Sequence, residues 1–91
     1  MNFQEMLNEL NKMSLTLLDL DIQIGLNGRL SSEAETQFAA IKTRIKELDP
    51  ILGDKNKPAP KIIAAIFETI KSYVEEIHED EEKNEKYKET R

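Results

Sequence analysis

At 91 residues and 10.5 kDa, a folded chain would retain about 5,400 Å² of the roughly 15,200 Å² its unfolded form exposes, enough for one modest core and no second domain of similar kind. The composition, 38% hydrophobic and 34% charged with three Gly, three Pro and no Trp, favours helix and is poor material for sandwiches or barrels, while the absence of Cys removes disulfides, thiolate nucleophiles and Cys-zinc sites together. Eighteen acidic residues against thirteen basic ones leave a formal charge of −5, which repels polyanions and disfavours nucleic acid as a partner.

The first predicted element is a helix beginning at Phe3. Its apolar residues Phe3, Met6, Leu10, Met13, Leu17, Leu20 and Ile24 are spaced 3, 4, 3, 4, 3, 4, a coiled-coil-like seam held over three heptads. Gly25, Asn27 and Gly28 then tolerate positive φ and weaken further helix. The helix is expected to end near Ile24, with Gly25 to Arg29 as connector.

Ser32 stands three residues before Glu35, the arrangement of a capping box, and marks the start of a second helix. Its stripe is Ala34, Phe38, Ile41, Ile45, Leu48 and Leu52. Pro50 lacks an amide proton and disfavours helical geometry at Asp49, so regular helix is expected to stop at about Leu48.

Residues Gly53 to Pro60 have the composition of a loop, and Pro60 suits the first turn of a third helix. Ile63, Ile66, Ile70, Tyr73 and Ile77 form the third stripe, flanked by Ile62, Phe67 and Val74. Beyond Ile77 the stripe stops and charge takes over, with Glu79 to Lys83 and Glu82 to Lys86 as i,i+4 pairs. The division expected is a helical bundle over residues 1–78 and a charged helical extension over 79–91 that frays into a disordered tail.

Three stripes of one period and no strand-like alternation predict an all-α fold, an antiparallel three-helix bundle with heptad seams. The alternative topology is a helical hairpin whose third helix is exchanged between subunits. The longest apolar run, Ile62 to Phe67, is too short to span a bilayer, and the N-terminus lacks the features of a signal peptide, so a cytoplasmic protein without a membrane partner is expected.

One feature exceeds what such a bundle needs. Leu15, Leu18 and Ile22 form a second set on the first helix, about 150° from the seam at 100° per residue. Leaving such side chains in water forgoes about 1.5 to 3 kcal/mol each, so they are expected to form a homo-oligomeric interface; the other reading makes the first helix central, with its two neighbours covering both faces.

Candidate chemistry is sparse. His78 is the only histidine, and Glu75 precedes it at the Glu-x-x-His spacing of di-iron bundles, but those need a second such motif; it reads as a solvated residue, and no metal site, cofactor or catalytic set is assigned. Gly25 to Gly28 follows a helix and lacks the Lys-Ser/Thr ending of a phosphate loop. Lys42, Arg44 and Lys46 cannot share one helix face. Lys57 and Lys61 flank the start of the third helix, where free amides and the macrodipole favour anions, and with Arg29 they form the candidate anion site. Met6, Met13 and Tyr73 read as core or core edge. The function these observations suggest is non-catalytic: an oligomeric helical protein that docks to or sequesters another macromolecule, as an inhibitor, immunity or adaptor protein does. The rival reading is a binder of an anionic, nucleotide-like small molecule at a subunit interface.

Overall fold

The computed structural model describes residues 2–89, with side chains over 2–82. It contains three helices that pack against one another, α1 (Phe3–Asn27), α2 (Ser32–Leu52) and α3 (Lys61–Glu89), and no strand among the described residues.

The seam of α1 is buried from Met6 to Ile24 at all six positions. Phe3 departs from it: nearly half exposed, it sits where the helix begins and the core has run out. Asn2 caps α1, its Oδ1 accepting from the amides of Gln4 (2.9 Å) and Glu5 (3.3 Å). At the other end the helix runs three residues past Ile24. Gly25 stays helical, and the chain turns at Gly28, whose left-handed φ of 75° lets its amide reach the Ile24 carbonyl at 2.8 Å. A mid-helix glycine costs only about 1 kcal/mol, whereas the turn needs one positive φ, and Gly28 alone supplies it.

Ser31, not Ser32, caps α2. Its Oγ accepts from the Ala34 amide at 3.1 Å, and because the residue at that third helical position is alanine, no capping box forms. The shift follows from Leu30, which is buried in the connector and brings Ser31 to the helix entrance. Glu33 and Glu35 then occupy the first turn, where carboxylates complement the macrodipole.

α2 also continues through Pro50 to Leu52. A proline this close to the helix end forfeits one hydrogen bond of the last turns, and Leu48 and Leu52, one turn apart and both buried, hold the backbone helical across it. Gly53 closes the helix, its amide donating to the Asp49 carbonyl at 2.8 Å. A Cβ at residue 53 would lie 2.8 Å from that same carbonyl oxygen, so only glycine fits without displacement.

In α3 the core residues are Ile63, Phe67, Ile70 and Ile77, with Ile66, Tyr73 and Val74 partly buried against them and Ile62 exposed. Pro60 stands just outside the helix, its carbonyl accepting from Ala64 at 3.0 Å, and the first helical residue is Lys61. The backbone remains helical to Glu89; the final two residues of the charged extension lie outside the described residues. The accessible surface is 6680 Å², well above the mass-based expectation of about 5,400 Å², as suits a molecule of 51 × 21 × 18 Å.

Candidate functional site

Among the described residues, a polar bridge at the edge of the core joins each pair of helices. Between α1 and α2, Arg44 donates through Nε and Nη2 to the two carboxylate oxygens of Glu9, at 2.6 and 3.0 Å. This fork holds the Glu9 carboxyl below its ordinary range, against the opposing effect of partial burial. Between α2 and α3, Lys71 Nζ donates to Asp49 at 3.1 Å and also pairs with Glu68 at 3.2 Å, which raises its pKa. Between α1 and α3, the Tyr73 hydroxyl donates to Asp21 at 3.2 Å, and partial burial followed by that bond pushes its pKa up. Bidentate and cross-helix pairs of this kind define axial register more than they add stability.

With register set, the outer face of α1 is left bare. Leu15, Leu18 and Ile22 are 67%, 49% and 51% exposed, and Leu26 extends the row at 79%. Neither α2 nor α3 covers them, so the arrangement in which the first helix is enclosed on both sides is not the one adopted by the chain. Gly25 lies in the same row with nothing within 4 Å of where a Cβ would sit. The resulting strip has four aliphatic side chains and a glycine, and one exposed carboxylate, Asp19, borders it beside Leu15 and Ile22, where it accepts from Gln23 Nε2 at 3.2 Å. Leu26 was hidden from sequence reasoning by its place in the expected connector; its signal was there, since it follows Ile22 by four residues.

A second apolar feature lies where the start of α1, the end of α2 and the start of α3 meet. There a half-open cavity of about 380 Å³ is lined by Phe3, Met6, Leu52 and Ile63, by Pro50 and Ile51, and by Asp54, Lys57, Ala59 and Pro60 of the connecting loop. Of the candidate anion-binding residues, Lys57 borders this cavity and Lys61 opens α3 beside it. Arg29 does not join them. It lies beyond the far end of α1, a helix about 37 Å long at 1.5 Å per residue.

The remaining candidates are dispersed. Lys42 and Lys46 face the shallow groove between α2 and α3, where Lys42 lies 4.7 Å from the Phe38 ring centroid, while Arg44 turns away to Glu9. Met6 and Met13 are buried. His78 is exposed with Nε2 3.3 Å from Glu82, and among the described residues no group of three or more His, Cys, Asp or Glu is placed to hold a metal ion. No described helix is long and apolar enough to cross a membrane. Comparison of the chain with protein-family models, with curated proteins and with solved structures returns no match.

Proposed function

We propose that the chain is an antiparallel three-helix bundle that self-associates through the outer face of α1 and acts without catalysis, by docking to or sequestering another macromolecule. The observation that carries this reading is the exposed row Leu15, Leu18, Ile22 and Leu26. Covering each such side chain recovers up to about 1.5 to 3 kcal/mol, and a contiguous row of four on one helix is the geometry by which a second helix packs. A second copy is the fitting occupant. An aliphatic strip can meet itself across a two-fold axis with Asp19 left at its wet edge, and Gly25 within it lets another backbone approach closely. Association would leave the acidic surface of α3 free for a further partner.

Light scattering over a range of concentrations tests the association. The wild type is expected to exceed 10.5 kDa, and Leu18→Glu to return to one chain while keeping its helical spectrum, because dissociation is the least costly way to solvate the new carboxylate. A wild type that stays monomeric at high concentration refutes the proposal.

A further inference from the structure

The cavity where the three helices meet lies outside that reading and rests on different residues. We infer that it is a binding site for a single-chain amphiphilic monocarboxylate, with the aliphatic tail between Phe3, Met6, Leu52 and Ile63 and the carboxylate at Lys57.

The first ground is shape. A volume of about 380 Å³ falls within the range of about 300 to 1,000 Å³ typical of small-molecule sites and equals about a dozen water volumes of ~30 Å³, space for a ligand of about that many non-hydrogen atoms. The walls explain why the space persists. All three prolines of the chain, Pro50, Pro58 and Pro60, lie in the segment that frames it, two of them in the lining itself. Proline restricts the backbone in the free protein, so the loop cannot readily collapse inward and little ordering remains to oppose binding. Ala59 presents only a methyl group towards the space, and Phe3 stays nearly half exposed at its edge instead of plugging it.

The second ground is the charge at the rim. In a chain of net −5, the segment from Gly53 to Lys61 holds Lys55, Lys57 and Lys61 against the single carboxylate of Asp54. One oxygen of Asp54 is engaged by the Asn56 amide at 2.9 Å. Lys57 borders the cavity and takes part in none of the ion pairs or hydrogen bonds of the described side chains. No acidic residue occupies the first turn of α3. Asp54 lines the same cavity, but its Oδ1 is turned to the loop backbone, and an apolar slot with the unpaired Lys57 ammonium at its mouth selects a ligand that is apolar along its length and anionic at one end; a nucleotide, polar throughout, would strip water from its base and sugar without recovering hydrogen bonds.

The test is a titration of the isotope-labelled full chain with decanoate below its aggregation threshold, followed by amide and methyl NMR. Decyltrimethylammonium supplies the same tail with the opposite charge, and acetate the head without the tail. Saturable one-to-one shifts are expected at Met6, Ile51, Leu52 and Ile63, with none at Leu18 or Ile22. Affinity should fall at least fivefold for Lys57→Glu and for the cationic amphiphile, and acetate should leave the spectrum unmoved. Ala59→Leu, which fills the space, should abolish binding; should it unfold the chain, Lys57→Glu on the exposed loop still decides. Failure of decanoate to saturate, equal binding of the cation, an unaffected Lys57→Glu or shifts confined to the outer row of α1 would each overturn the assignment.

Discussion

Leu17 and Leu18 are adjacent, identical in chemistry and opposite in environment: the first is wholly buried, the second half exposed. Truncating each to alanine therefore separates the two roles assigned to α1. Removing Leu17 deletes buried methyl groups and leaves a void between three helices, a change that costs about 2.7 to 5 kcal/mol in comparable cores. That is a large part of the roughly 5 to 15 kcal/mol that stabilises a domain. At Leu18 no void can form in the single chain, and only the half of the side chain already out of water is lost, about 1 kcal/mol by apolar area; alanine's higher helix propensity offsets part of this. Urea denaturation followed at 222 nm should thus rank Leu17→Ala far below Leu18→Ala in dilute solution. Repeating it at about a hundredfold higher concentration adds the second role, since mass action stabilises an associated state by up to about 2.7 kcal/mol over such a step. The gain should appear in wild type and in Leu17→Ala and be diminished in Leu18→Ala. Equal costs for the two substitutions in dilute solution would refute the assignment of faces, and a Leu18→Ala variant that gains as much as wild type would refute the interface.

Three further outcomes follow from local geometry. The folded state holds Glu9 below its ordinary pKa of 4.5, so its contribution is complete above that value and is lost as pH falls through the lower folded value; the stability gap between wild type and Glu9→Gln, read by thermal melts between about pH 7 and pH 3, should close on acidification. Ser31→Ala should cost about 0.5 to 2 kcal/mol and Ser32→Ala much less in chemical denaturation, because only Ser31 Oγ accepts a helix amide. In dilute solution, where single chains melt, Gly25→Ala should raise the melting temperature, having open space and an ordinary helical backbone in the chain itself and about 1 kcal/mol of propensity to gain, whereas Gly53→Ala should lower it through the 2.8 Å approach to the Asp49 carbonyl.

The seams of α1 and α2 were legible because a 3,4 spacing maps directly onto a helix face, and the buried residues there are those the periodicity selects. In α3 five apolar residues fall between Ile62 and Ile70, so period alone could not choose between Ile66 and Phe67; packing put Phe67 inside. The helix ends were less legible at Gly25 and Pro50, since a breaker residue imposes a local cost that a left-handed cap at Gly28 or the burial of Leu52 can exceed. The second face of α1 could be recognised as apolar, but whether a neighbouring helix covers it is a tertiary fact absent from any one helix's pattern. The cavity was not legible at all. It arises from the course of the loop between α2 and α3, and of its chemistry only Lys57 carried a signal.

The exposed row and the cavity are separable on one helix. Leu15, the nearest member of the row, is twelve residues from Phe3, about 18 Å along the axis at 1.5 Å per residue, and points away from the seam that supplies Met6 to the cavity wall. Leu15, Leu18 and Ile22 are exposed and stand outside the buried cluster that contains Leu52 and Ile63, so a change on the outer face replaces no side chain that lines the cavity. Leu18→Glu should accordingly abolish self-association and leave decanoate affinity within twofold of wild type, while Lys57→Glu should do the reverse. Loss of both properties in either variant would mean that the ligand site is completed by the second subunit, and the cavity would then have to be reassigned from a single chain to the assembly.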